Sequence, residues 1–560
     1  MSEEPTVSES ATPEAEAPEA PKRGFIQRML DGIERVGNKV PHPAIIFLGL
    51  CVLVIVLSAV LAAFDVEVTY DVVEPPPVEA YEAELGGSVE PEVITVDNYL
   101  EEDELEVVRE TTAIESLLSR EGIAFLFSSF VDNFAGFSVV AVVFIAMIGV
   151  GVAEAAGLMG ALIRKLVGVA GGGSLTFIIV LVGGLSSVAT DAGYLILIPL
   201  AAAAFYSVGR NPITALAVAY AGVSAGFAVN ILLTPLDGLL TEVTNEAIAL
   251  ADPNMSIDLT ANLWFSIAST VFVAIVITLI AQRVTEPAVG TYTGTPDLGD
   301  EGEQEVPEGE SRGLRFAGLF TLAALAVITL LSVLPDAPLR NPDTGSIFNN
   351  SPLMSSLIFI ITLLFLVAGI GFGIGAKTLT TSTDVIAGIE KAFAGLASLV
   401  FLLLLISQFI AYFNYSNMPT VVAVNMADFL ESADVGALPL LIGFIFVIVL
   451  LDIIIPGSLP KWAIFAPIFI PLFLRLDVAP QTVLAAYRVG DSPANVITPL
   501  MVYLPFIVIV AQRYRKDAGV GTIISLMIPY TAIVLVAWLV FFAAWFLLGI
   551  PMGPGYPASL

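Results

Sequence analysis

Charge is scarce along most of this chain, and so are the residues that perform covalent and metal chemistry. Only 13% of its 560 residues are charged, against 57% hydrophobic; soluble domains carry roughly a quarter charged residues. A single cysteine, Cys51, excludes an intramolecular disulfide and any cysteine-based zinc site. A single histidine, His42 in KVPHPAI, leaves no histidine pair for a metal; it reads as an interfacial residue at a helix start. Basic residues number 22 against 53 acidic ones, so no basic face for nucleic acid is expected. The glycine run GVAGGGS (168–174) lacks the GK[ST] of a phosphate loop and reads as a linker, with Ser174 capping the next helix. With no ATPase motif, no cofactor is expected, and any uphill work on a ligand would draw on an ion gradient.

What the chain has in abundance is long apolar runs. Seven plain ones, 43–64, 137–157, 262–283, 314–335, 354–376, 390–414 and 519–549, suit helices crossing a bilayer, which needs about 20 apolar residues. Runs such as CVLVIVLSAVLAAF do not alternate as barrel strands do. The expected class is an all-α polytopic membrane protein. Residues 1–21 read as a disordered acidic tail, and 22–42 as a basic amphipathic helix on the membrane surface before the first crossing at 43–64. Acidic residues gather outside the runs, in an external insertion (65–136) and a cytoplasmic linker (284–313).

Four further segments are apolar but interrupted. Segments 174–206 and 437–476 are broken at 183–193 and at PGSLPKW; 213–247 and 480–512 are broken at SAGFAVN with TP, and at GDSPAN with TP. Proline removes a backbone donor and clashes with the preceding turn, and Gly/Ser clusters help break a helix. The basic residues choose the topology. If the first pair are re-entrant hairpins and the second pair each cross once, nine helices cross, with the N-terminus cytoplasmic and the C-terminal tail (550–560) external. Of the 22 basic residues, Arg109, Arg120, Arg340 and Arg475 then lie outside, Lys461 and Arg488 lie within the membrane, and all others lie inside, as the positive-inside rule requires. If both hairpins crossed fully, Arg283, Arg312, Arg315, Lys377 and Lys391 would move outside.

The interrupted segments also repeat. SSVATDAGYLILIPL (186–200) with LAVAYAGVSAGFAVNILLTPL (216–236) is echoed by GSLPKWAIFAPIFIPL (457–472) with LAAYRVGDSPANVITPL (484–500). Ser187/Ser458, Pro199/Pro471, Tyr220/Tyr487, Asn230/Asn495, Thr234/Thr498 and Pro235/Pro499 are the paired landmarks. One hairpin enters from inside and the other from outside, so the first repeat (137–283) and the second half (314–549) are inverted. Inverted repeats with broken helices are the build of secondary transporters, whose sites lie near the bilayer midplane. Irregular backbone survives at that depth only where it is buried in protein or lines a cavity.

Arg488 and Asp491 lie three apart on one helix face. They form either a structural ion pair or a site in which Arg488 offers a bidentate fork to a carboxylate while Asp491 handles a coupling cation. Asp191 stands at the first hairpin tip as a second ion-coupling candidate. Lys461 and Trp462 stand at the second tip; Trp462 reads either as an interface marker or as a stacking platform for an aromatic substrate. Ser458, Asn230 and Asn495 are candidate substrate contacts, and Thr234 and Thr498 candidate ion contacts. Pro199, Pro235, Pro471, Pro480, Pro493 and Pro499 are expected to shape the breaks. Asp237, Glu242 and Glu246 read as a solvated outer end.

At IAMIGVGVAEAAGLM, TDAGYLILIPL, SAGFAVNILLTPLDGLL, KWAIFAPIFIPL and AAYRVGDSPANVITPLMVY, the chain resembles the aminobenzoyl-glutamate transporter (AbgT) family, from about residue 117 to 549. The resemblance implies an elevator-like homodimer in the inner membrane, with nine transmembrane helices and two re-entrant hairpins per subunit. It implies uptake of p-aminobenzoyl-glutamate, or export of sulfonamide-like antimetabolites by a proton antiporter. It also implies roles for Asp191, Trp462, Pro480, Arg488, Asp491 and Pro499. The sequence thus predicts no enzyme but an ion-coupled carrier of a small anionic aromatic substrate, driven by H⁺ or Na⁺. The rival from another class, an intramembrane aspartyl protease using Asp191 and Asp491, would want GxGD around one aspartate, and Asp491 stands in RVGD.

Overall fold

The computed structural model describes residues 43–74, 106–168, 174–186, 193–294, 296, 309–342, 344–347, 351–432, 436–452, 457–498 and 501–560. The acidic tail, the basic surface helix with His42, most of the acidic linker, and Ser187, Asp191 and Pro499 lie outside these.

Each of the seven plain apolar runs is a helix long and apolar enough to cross a membrane. These are α1 (Pro43–Ala63), α2 (Ser138–Ala156, continuing a short helix Phe130–Ala135), α7 (Leu263–Ile280), α8 (Glu310–Val333), α9 (Leu357–Ala376), α11 (Ala397–Tyr415) and α17 (Val520–Leu547). Between them lie shorter helices: α3 (Leu175–Leu185), α4 (Ile198–Ser207), α5 (Pro212–Ser224), α6 (Pro235–Ile248), α10 (Ser382–Gly395), α12 (Met418–Ser432), α13 (Ala437–Asp452), α14 (Ser458–Leu474), α15 (Pro480–Asp491) and α16 (Leu504–Gln512).

Proline decides where many of these begin. Pro212, Pro235, Pro480 and Pro505 lie in the first two positions of α5, α6, α15 and α16, whereas Pro199, expected to shape a break, lies within helix continuous from Gly193 to Ser207. A first-turn N–H has no helical acceptor, so proline sacrifices nothing there. Pro471 behaves otherwise. It was expected to shape a break, yet it lies inside α14, which runs on to Leu474. One lost backbone bond does not end a helix held on its flanks by α6 and α12.

One element runs against the all-helical expectation. Within the acidic insertion, β1 (Glu67–Glu74) and β2 (Glu106–Ala113) pair antiparallel, Glu67 opposite Ala113 and Glu74 opposite Glu106. EVTYDVVE and EVVRETTA are rich in the β-branched residues that favour strands.

The packing separates two groups of helices. α9 packs on both α2 and α8, with the Thr362 hydroxyl donating to the Ile145 carbonyl at 3.1 Å. In the other group, α3 packs on α5 and α13 packs on α15. Glycine permits both crossings. A Cβ on Gly222 would lie 2.9 Å from the Val180 Cα, and one on Gly490 would lie 2.8 Å from the Ile445 carbonyl oxygen. The chain end folds back onto this group. Gln481 and Thr482, at the start of α15, donate to the carbonyls of Pro557 (2.7 Å) and Ala558 (2.6 Å). The Asp258 amide donates to the Tyr556 hydroxyl at 2.9 Å. Burial pushes that hydroxyl up to about 12, so it stays neutral.

Candidate functional site

The two broken helices meet at their breaks. α5 ends at Ser224, and turns carry the chain to Thr234, which opens α6. α15 ends at Asp491, and turns follow through Ser492, Pro493 and Asn495. Freed backbone groups of one break are answered by the other: the Ala228 amide donates to the Ser492 hydroxyl (3.0 Å), and the Tyr220 hydroxyl donates to the Asn495 carbonyl (3.4 Å). Asn230 donates to the Gly184 carbonyl at the end of α3 (3.0 Å), and Asn495 to the Asp491 carbonyl (3.0 Å). Both asparagines therefore repair backbone at their breaks. Tyr194, which follows the Asp191 segment, stacks on Tyr503 beyond the second break, with centroids 4.2 Å apart.

Arg488 lies at this junction and is 2% exposed. Its guanidinium pairs with Asp237 Oδ1 at 2.7 Å and donates to the Ala228 carbonyl at 2.6 Å. Its partner is thus Asp237, in α6, and not the anticipated Asp491. The expectation of a solvated end at Asp237 is also corrected. Asp237 is buried and does two things at once: Oδ2 accepts from the Thr234 amide and hydroxyl, both at 2.7 Å, while Oδ1 meets Arg488. A carboxylate in the first turn of α6 both closes a capping box and favours the positive helix end. Thr234, expected to face a cation, is that cap. Glu242 accepts from the Ser138 hydroxyl at 2.6 Å. The Nε of Arg488 is buried with no acceptor among the described residues.

Asp491 belongs to a second cluster. Lys461 Nζ lies 2.7 Å from its Oδ1, Tyr487 donates to that oxygen at 3.0 Å, and Ser458 donates to Oδ2. Lys461 also pairs with Asp452, the last residue of α13. Tyr487 shares its hydroxyl with the Ser458 carbonyl at 2.5 Å, so the start of α14 is tied to the end of α15. Trp462 is fully buried. Its indole lies against Tyr487 (centroids 4.6 Å, 37° between planes), and Nε1 donates to Thr244 (3.0 Å) and to the Leu240 carbonyl (3.2 Å). In this conformation both faces of its chemistry are taken by protein. Thr498 is buried after the second break.

Sequence reasoning missed Asp452, read Asp237 as part of a solvated end, and took Tyr220 and Tyr487 only as landmarks of the repeat. Asp452 had a usable signal: it is the one charged residue of the arm ALPLLIGFIFVIVLLD, and an ionisable group within apolar helix is expensive enough to mark function.

A multi-helical membrane protein whose two broken helices meet around buried, paired charges is a transporter in class. The chain belongs to the family described as "AbgT putative transporter family", matched over residues 28–560. It is 31% identical over 526 residues to the p-aminobenzoyl-glutamate transport protein of Escherichia coli (strain K12), covering 94% of this chain and 96% of that protein. Two solved structures share the fold. The YdaH transporter of Alcanivorax borkumensis, whose topology is described as unusual, has a TM-score of 0.81 at 37% identity, covering 92% of this chain and 100% of that one. MtrF of Neisseria gonorrhoeae, described as illuminating a class of antimetabolite efflux pumps, has a TM-score of 0.81 at 35% identity, covering 95% of this chain and 100% of that one.

Proposed function

We propose that this chain is an ion-coupled secondary transporter of p-aminobenzoyl-glutamate or a similar aromatic-amide carboxylate. It works as an elevator-like homodimer in the inner membrane, with the N-terminus cytoplasmic, nine crossings and two re-entrant hairpins. The observation that carries the reading is the buried Nε of Arg488 at the meeting of the two breaks, a guanidinium donor with no acceptor among the described residues. A buried donor left unmet is costly, and a carboxylate accepting from the guanidinium fork would meet it. The relative named for p-aminobenzoyl-glutamate transport supports that carboxylate's identity. Trp462, Ser458, Asn230 and Asn495 are candidate neighbours of the rest of the substrate once the breaks separate. Asp191, Asp491, Thr234 and Thr498 are candidates for the coupling of H⁺ or Na⁺.

The test is uptake of labelled p-aminobenzoyl-glutamate by proteoliposomes. Arg488→Ala should abolish it, and Arg488→Lys, which keeps the charge but not the fork, should leave at most a small fraction. Wild-type rates in Arg488→Ala would remove Arg488 from substrate binding. Likeness to MtrF favours a second reading, proton-driven export of sulfonamide antimetabolites. Accumulation in intact cells with and without an uncoupler separates the two: export predicts that the uncoupler raises retained sulfonamide.

A further inference from the structure

The buried charges around the two breaks do not balance. Asp237 neutralises Arg488. Next to that pair, Lys461 alone faces two carboxylates, Asp452 and Asp491, and all three side chains are fully buried. The two acids are not equivalent. Asp491 has donors on both oxygens, from Lys461, Tyr487 and Ser458. Asp452 meets Lys461 through Oδ1, while its Oδ2 is buried with no partner among the described residues.

The helices packed on α13 supply no further compensating cation. α14 supplies Lys461, and α15 supplies Asp491 and Arg488, the latter already paired. The sole titratable residue of α17 is Tyr530, which takes a hydrogen bond from Thr285. Tyr220 of α5 is within electrostatic reach and carries no positive charge. Among the described residues, three acids thus share two cations. A buried carboxylate in excess of the cations beside it neutralises rather than staying charged.

We propose that Asp452 is a proton-carrying residue of the transport cycle, holding its proton on Oδ2 in the closed conformation and sharing Lys461 with Asp491. When water reaches the cluster, the O–H bond of Asp452 breaks. The proton passes to water on the open side, the electron pair stays on the carboxylate, and Lys461 compensates the new charge. Because Lys461 then serves Asp452 more than Asp491, the end of α15 is loosened three residues from Arg488. The exchange links protonation at α13 to the substrate-binding end of α15. This rests on the ion-coupled reading above and names a carrier for its proton form.

Two measurements test it with the full chain in lipid. Infrared spectroscopy near neutral pH should show a protonated-carboxyl stretch that shifts in D₂O, disappears in Asp452→Asn and returns in Asp452→Glu. No such band in the parent, or a band that survives Asp452→Asn, overturns the proposal. In proteoliposomes with p-aminobenzoyl-glutamate as the probe, Asp452→Asn should lower the ratio of pH-gradient-driven accumulation to substrate exchange by about tenfold or more, within the range of known coupling energies. Asp452→Glu should recover part of that ratio. An unchanged ratio in Asp452→Asn also overturns the proposal. If the parent moves no p-aminobenzoyl-glutamate at all, the substrate reading fails, and the infrared band still decides the role of Asp452.

Discussion

Arg488 shows how one side chain can be legible while its partner is not. An arginine inside apolar sequence costs roughly 3 kcal/mol or more if left unpaired, which was enough to single it out. The partner could not be read by spacing. Asp491 is near in sequence and on the same helix face, but Asp237 is the residue the fold delivers. Asp237 reads as part of a solvated outer end because it follows the first break, yet it is buried and completes the capping box of α6. Removing one member of a buried ion pair typically costs about 3–5 kcal/mol. Asp237→Ala should therefore lower stability by roughly that amount, with loss of its capping-box bonds to Thr234 adding to the cost. The check is the temperature at which purified protein loses its monodisperse elution peak. A variant that melts with the parent would show that Arg488 has another compensating group.

At the scale of elements, the breaks were legible and their mutual repair was not. Clusters such as SAGFAVN and GDSPAN announce that a helix stops, and the helices do stop, at Ser224 and Asp491. Which polar group then satisfies which freed amide depends on contacts more than 200 residues apart, such as Ala228 to Ser492. Pro471 shows the limit of reading proline as a break: the helix passes through it. The two broken helices also share a constraint visible only in three dimensions, a glycine where α5 crosses α3 and where α15 crosses α13. Gly222→Leu and Gly490→Leu should each force the crossing apart, overpacking of this kind costing about 1–3 kcal/mol. Transport rate and thermal stability in detergent should fall together in both. If either variant keeps both properties, the close approach is not needed there.

Over the whole molecule, the sequence carries the membrane class through length and apolarity alone, since each plain run became a helix of spanning length. The β1–β2 ribbon escaped because it lies in an acidic insertion whose composition reads as loop, while its β-branched alternation is short and local. The site's charge balance is likewise a property of the assembled molecule: Asp237, Asp452, Lys461, Arg488 and Asp491 come from α6, α13, α14 and α15. No single segment shows that three acids meet two bases.

The central claim is that a gradient of ions drives an anionic aromatic substrate through this site. It is tested most directly by proteoliposome uptake of labelled p-aminobenzoyl-glutamate under separately imposed H⁺ and Na⁺ gradients. Concentrative uptake under one of the two gradients, abolished when that gradient is collapsed and absent in Arg488→Ala, is the result the account predicts. Flux that persists at the same rate after both gradients are collapsed would contradict it and would make the protein a passive channel.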